Sequence, residues 1–289
     1  MAETIVCAVD DSEAAIGVLD TARGLAEALG ARLLAVHAGG TQLGWDWAGA
    51  SVRARLTEAG ELPEVRLVQG SPAAIMQEAD REGAELLIVG SRGRGHVRSG
   101  LLGSVSREIA SGARCPVVVV PSGARWKEAG DGVEDATASV VCGVDGSEQA
   151  LAAAAFAGRL APRLGLRLVI VHARQDLRAV AAYPGASTAT PPVTGQRDAV
   201  EQQAAEVVNK AEEVAGVSAE RVVESGPPTE VLESVADREA ARLIVIAARG
   251  LGGLRAALLG SVAAELPVAS ARPVVVLSAA AAEAVRSGA

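Results

Sequence analysis

From residue 90 the chain reads Gly90-Ser91-Arg92-Gly93, then nine residues, then Gly103-Ser104-Val105-Ser106-Arg107. Glycines let a backbone approach a ligand closely, and successive N–H groups in such a loop make a nest for an anion. Ser104 is placed to open a helix, where hydroxyl and helix N-terminus both favour a phosphate. Arg92, Arg94, Arg98 and Arg107 fall within this stretch and no acid does. A chain with a net charge of −8 thus gathers cations at one glycine loop, which suits capture of a phosphate-bearing ligand. The spacing returns as Ala247-Ala248-Arg249-Gly250, nine residues, Gly260-Ser261, with Arg255 between. One such match is modest evidence, and duplication alone would bring it back.

Other residue types narrow the chemistry. Asp10 and Asp145 each follow an apolar run and precede a serine, which suits either a ligand contact or a turn and helix-cap residue. His37 and His172 end matching apolar runs and read as packed, hydrogen-bonded side chains. His96 reads as a loop residue. Three scattered histidines without a Cys partner or His-x3-His spacing give no metal site. Cys7 and Cys142 read as small strand hydrophobes, and three cysteines without Cys-x2-Cys spacing suit a reducing cytoplasm. The lysines are Lys127 and Lys210, neither in a glycine stretch, which excludes a Walker loop. Gly93-x-Gly95 is followed by Arg98, where a dinucleotide fingerprint needs glycine. Aromatics are 2% of the chain, too few for base-stacking platforms, and the acidic balance argues against nucleic acid or an anionic membrane as partner. An acid near the N-terminus disfavours a signal peptide, and no apolar run approaches the roughly 20 residues of a membrane span.

The elements that must position these residues occur twice. Residues 3–15, ETIVCAVDDSEAA, return at 138–150 as ASVVCGVDGSEQA; LLIVGSRGRG at 86–95 returns at 243–252 as LIVIAARGLG. LLGSV at 101–105 returns unchanged at 258–262. The offset grows from 135 to 157, and the excess falls mostly within 174–200, which reads as an exposed loop rich in Pro, Thr and Gly. The polar stretch 121–139 reads as a linker. In the first copy, continuous apolar runs at 4–9, 32–37, 64–69, 85–90 and 116–120 read as buried strands. Helical spacing lies between them: Ile16, Leu19, Ala22, Ala26 and Leu29 share one face after Ser12, and Gly30 closes that helix. Leu151, Ala154, Ala157, Leu160 and Gly165 repeat the pattern. Pro72 and Pro228 suit first helical turns. Alternating strands and helices with fully apolar strands predict an α/β fold, a parallel sheet with helices on both faces. A flavodoxin-like or a 3-2-1-4-5 strand order both fit. In the second order the switch point lies between strands 1 and 4, whose ends are Asp10 and Gly90.

Gly-x2-Gly-x9-Gly-Ser after a strand, a Val-Asp-Asp/Gly-Ser end to strand 1, a histidine at the end of strand 2 and a Pro-led strand 5 together resemble the universal stress protein family, in its tandem-domain type. The likeness spans both copies except the linker, the 174–200 loop and the Ala-rich tail after Ser278. It implies two nucleotide-binding domains, 1–122 and 138–289, each a five-stranded parallel sheet of order 3-2-1-4-5, binding ATP with or without Mg. Position by position, it places Asp10 near the ribose or adenine and Ala38 beside the adenine. Val89, Gly90, Arg92 and Gly93 would line the strand 4 exit, and Gly103, Ser104 and Val105 would hold phosphates. The second site would use Asp145, Ala173, Ile246, Arg249, Gly250, Gly260, Ser261 and Val262. Ala247 departs from the motif glycine. If the backbone there needs a positive φ, its methyl costs strain; if not, only contact distance suffers. Fewer loop arginines also point to a weaker second site. The resemblance implies a cytoplasmic, regulatory stress-response protein that binds ATP; a slow ATPase and a protein-interaction module without nucleotide are the alternatives. Strand 5 of each copy is an apolar edge that needs covering. Pairing these edges would make an intramolecular pseudo-dimer, with association into a homodimer left open.

Overall fold

Ten short runs rich in Val, Ile and Leu pair into one sheet in the computed structural model, which describes residues 3–12, 14–39, 63–92, 102–124, 126, 137–174, 194–249 and 259–288, the side chains of 194–198 excepted. The strands are β1 (Thr4–Ala8), β2 (Arg32–Gly39), β3 (Glu64–Gln69), β4 (Ala84–Gly90), β5 (Val117–Val120), β6 (Ser139–Gly143), β7 (Arg167–Arg174), β8 (Ala219–Ser225), β9 (Ala241–Ala247) and β10 (Val274–Leu277). Their order is β3-β2-β1-β4-β5-β10-β9-β6-β7-β8. Each half is therefore 3-2-1-4-5 and parallel. The halves meet where β5 and β10 pair antiparallel, Val117 opposite Val276 and Val119 opposite Val274.

Eight helices are found among the described residues: α1 (Ala14–Leu29), α2 (Pro72–Arg81), α3 (Ser104–Gly112), α4 (Glu148–Arg163), α5 (Thr194–Ala215), α6 (Pro228–Arg238), α7 (Ser261–Ala269) and α8 (Ala279–Ser287). Alternate strand residues face opposite ways. Ile5, Cys7, Ile88, Val118, Cys142 and Val275 pack under α1, α4, α5 and α8. Val6, Leu87, Val119, Val141 and Val274 pack under α2, α3, α6 and α7. Two cores, each continuous across the halves, follow from the double-sided apolar strands. Burial pushes the Cys7 and Cys142 thiols up to about 12, so both remain protonated core side chains.

Local chemistry sets the helix limits. Pro72 and Pro228 occupy first turns, where a missing N–H costs nothing. The Ser147 hydroxyl accepts from Ala150 N at 3.2 Å and caps α4. Gly30 and Gly165 take φ of 64° and 68° just past α1 and α4, the left-handed exit that suits glycine.

Two readings of the sequence need amendment. The line through Ile16 and Leu29 is only partly the buried one: Ala15, Val18, Leu19, Ala22, Leu25 and Ala26 are buried, while Ile16 and Leu29 are half-buried. A helix lying on a sheet buries a stripe broader than one line of residues. The end of the 174–200 segment is helical, since α5 begins at Thr194; its Gln, Glu and Ala content favours helix. The Ala-rich tail is α8, capped by Ser278 and buried at Ala281, Ala282 and Val285.

Further contacts join the halves. Ser278 Oγ donates to the Ala113 carbonyl at the end of α3 while accepting from Ala281 N at 3.0 Å. Arg163 of α4 pairs with Glu3 and Glu85 of the first half. Burial holds the Glu85 carboxyl above the usual carboxylate range despite the opposing pull of Arg163, and neighbouring Glu3 adds to the rise. Two described residues after β5 lie against α1: a Cβ at Gly17 would stand 3.0 Å from the Ala124 carbonyl oxygen, and one at Gly24 2.0 Å from the Trp126 ring.

Candidate functional site

Strand order reverses between β1 and β4, since β2 lies beyond one and β5 beyond the other. Connections leaving two such strands diverge and open a crevice at their carboxyl ends. A cleft of about 600 Å³ lies there, within the range of small-molecule sites.

Asp10, Ala38, Val89, Gly90, Arg92, Gly103, Ser104 and Val105 all line this cleft. They come from the exit of β1, the end of β2, the end of β4 and the start of α3. Gly93, with Arg94, His96 and Arg98, lies outside the described residues.

Asp10 Oδ1 accepts from Ser12 N at 2.9 Å and from the Ser12 hydroxyl, closing a turn ahead of α1. Beside it, His37 is 3% exposed and its Nδ1 lies 2.8 Å from the Val9 carbonyl oxygen. A carbonyl can only accept, so Nδ1 carries the proton and holds the β1 exit against the end of β2. This is a positioning bond, as its core placement suggests.

At the other wall, Ser91 N donates to Val120 O at 2.7 Å and Gly103 N to Ser91 O at 3.0 Å. A Cβ at Gly103 would come within 3.3 Å of that same oxygen, so glycine permits the close approach. Gly103 precedes α3 and offers no side-chain cap, and the first amides of a helix have no partner within it. Ser104 and Val105, which open α3, are exposed residues, Val105 at 46%. Arg92 Nε is buried with no hydrogen-bond partner among the described residues.

Gly70, Ser71, Pro72 and Ile75, at the start of α2, also line the cleft, as do Ser106 and Arg107. The helix-start signal of Pro72 locates the first group in the chain, but only the strand order brings it beside β1. Arg107 stands out in the sequence as part of the arginine cluster, Ser106 not at all.

The second half repeats the frame. Ser147 N donates to Asp145 Oδ1 at 3.0 Å, and His172 Nδ1 lies 2.8 Å from Val144 O. Gly260 N donates to Ala248 O at 2.7 Å, ahead of Ser261 and Val262 in α7. Ala173 lies near the end of β7 and Ile246 near that of β9. Arg249 follows β9, and Gly250 lies outside the described residues. Neither Gly90 nor Ala247 has a positive φ; Ala240 is the non-glycine residue that does among those described. The Ala247 methyl therefore carries no backbone strain. At Gly90 a Cβ would stand 3.1 Å from Val18 Cγ2, and the repeat puts the smaller Ala153 in the place of Val18. The residue in the place of Val18 is thus two methyl groups smaller, while the Arg92 carbonyl oxygen, also 3.1 Å from a Cβ at Gly90, is a backbone contact that this exchange does not touch.

A family model described as the universal stress protein family matches residues 39–121 and 137–278. A universal stress protein of Mycobacterium tuberculosis is 36% identical over 219 residues, covering 73% of this chain and 67% of that relative. Another, from Thermus aquaticus, is 37% identical over 136 residues, 42% of this chain and 99% of its own length. The crystal structure of a universal stress protein from Archaeoglobus fulgidus superposes with a TM-score of 0.61 at 19% identity, covering 96% of this chain and 99% of that one.

Proposed function

The chain belongs to the universal stress protein family, and from that premise we propose that its first half binds an adenine nucleotide, ATP, where β1 and β4 diverge. The observation that carries this reading is one cleft lined by Asp10, Ala38, Gly90, Arg92 and the start of α3, segments far apart in the chain. Asp10 and Ala38 would hold ribose and adenine, with Val89 and Gly90 against the adenosine. Ser104, Val105 and Gly103 would take phosphates through amides and hydroxyl, and the orphaned Arg92 Nε suits an anionic acceptor. Among the described residues no three His, Cys, Asp or Glu side chains gather at a metal-sized site, so Mg²⁺ would arrive with the phosphates.

The domains 1–122 and 138–289 would each carry such a site, the second using Asp145, Ala173, Ile246, Arg249, Gly250, Gly260, Ser261 and Val262. The β5–β10 pairing supports reading the chain as an intramolecular pseudo-dimer, and two such chains would form any homodimer. Binding rather than turnover is the assigned task, because no lysine lies in the loop to meet the phosphates. The role would be regulatory, in a cytoplasmic stress response; no helix among the described residues is long and apolar enough to cross a membrane.

Calorimetry of the full chain with ATP, alongside mass analysis of any small molecule that survives purification, tests the reading. Saturable ATP binding that weakens in Ser104→Ala and Asp10→Ala is expected. No heat and no thermal shift on adding ATP would sink it. Phosphate release that disappears in Ser104→Ala would favour an ATPase instead.

A further inference from the structure

The repeat makes residues 90, 91, 106 and 107 correspond to 247, 248, 263 and 264. The pairs are Gly90 and Ala247, Ser91 and Ala248, Ser106 and Ala263, Arg107 and Ala264. Three of these four replace a polar side chain with a methyl, and two of the three stand in the first turns of the helix that follows the glycine loop, α3 in the first half and α7 in the second.

In the first half those side chains are engaged. Ser106 Oγ donates to the Gly90 carbonyl at 2.6 Å, tying the first turn of α3 to the end of β4. Arg107 Nη2 donates to the Leu102 carbonyl at 3.0 Å. That bond sets the guanidinium at the loop-to-helix junction, on the wall of the cleft. Arg92 lines the same cleft with its Nε buried and unpartnered among the described residues. The exposed start of α3, at Ser104 and Val105, belongs to the same lining. Two guanidiniums and a helix N-terminus make a receptor for more than one phosphate. A guanidinium retains its charge and offers several donors in a planar fork, so a side chain pinned through one Nη keeps other donors for a ligand. Adenosine presents no charge for them to meet. Ala263 and Ala264 can form neither the tether nor the cation.

Resting on the reading of the first cleft as an adenine-nucleotide site, we infer that Arg107 is its specificity-determining cation. It selects a polyphosphate tail over adenosine in the first half, and Ala264 leaves the second half without that selection.

The test is calorimetry on the full chain with three ligands: ATP, adenosine and inorganic tripolyphosphate. Arg107→Ala is expected to weaken ATP by about tenfold, the effect of one charge-assisted hydrogen bond, with adenosine changed less than about twofold. The residual ATP binding should depend less on salt. Arg107→Lys should recover part of the loss, since it keeps the charge without the fork. Ala264→Arg should raise ATP affinity in the second half. Ala264 already stands in the first turns of a folded helix at the equivalent place, so Arg107→Ala is expected to fold, with a thermal midpoint lowered by no more than the loss of the Leu102 hydrogen bond. Equal losses of ATP and adenosine in Arg107→Ala, or no loss of ATP, would overturn the inference. Tripolyphosphate binding as tightly as ATP, and weakened by Arg107→Ala, would overturn the nucleotide reading while leaving Arg107 its anion. No binding of any of the three would overturn both.

Discussion

The Asp10 carboxylate closes a turn through one oxygen, and no hydrogen bond from the described residues reaches its second oxygen; turn residue and ligand residue are compatible roles here. Asp10→Asn keeps an acceptor at the same place, and its unfolding midpoint in urea is expected to match the parent chain. Asp10→Ala is expected to lose about 1 kcal/mol, the usual worth of such an intramolecular hydrogen bond. A loss as large in the Asn variant would show that charge, not the acceptor, holds the turn. The duplicated Asp-x-Ser made this position legible in the sequence, and the recurrence of His37 at 172 marked a shared packing role. What the sequence does not display is the partner: the Val9 and Val144 carbonyls become acceptors only once strands 1 and 2 lie side by side. The Ala247 departure is similar. Whether its methyl costs strain depends on φ, which the residue type leaves open, and on the residue opposite, which the repeat identifies as Ala153 against Val18.

Glycines inside helices show how packing overrides propensity. A mid-helix Gly→Ala change ordinarily stabilises by about 1 kcal/mol. In α4 a Cβ at Gly158 would lie 2.1 Å from the Ala215 carbonyl oxygen at the end of α5, an atom held by backbone. Gly158→Ala is therefore expected to destabilise by about 1–3 kcal/mol through overpacking. Gly112→Ala, at the last residue of α3, meets only the Met76 thioether at 3.5 Å and should show no loss. Urea unfolding of the two variants checks this, and a stabilised Gly158→Ala would contradict the α4–α5 packing. Element types were readable from apolar runs and from Pro and Gly punctuation. Element neighbours outside the repeat were not: α8 carries a plain Ala-rich pattern, and its place against α4 is set by the sheet junction below it.

Duplication made the fold legible at the scale of the whole chain. Two copies of one strand–helix pattern restrict the order of each half, and apolar strands 5 leave edges that demand cover. The β5–β10 pairing, the Ser278 bond to Ala113 and the Arg163 pair with Glu3 and Glu85 then join the halves into one ten-stranded sheet. The cleft was less legible than the sheet. Its motif residues could be named, while the α2 wall and the Ser106 tether required the three-dimensional arrangement. The most direct test is two-dimensional NMR of the deuterated, ¹⁵N-labelled full chain during titration with ATP. The amides of Ser104, Val105 and Ser106 are expected to shift progressively, ahead of those of Ser261 and Val262, and to respond much less to adenosine. Saturating ATP that leaves the amides of residues 103–107 unmoved would contradict a phosphate site at the start of α3.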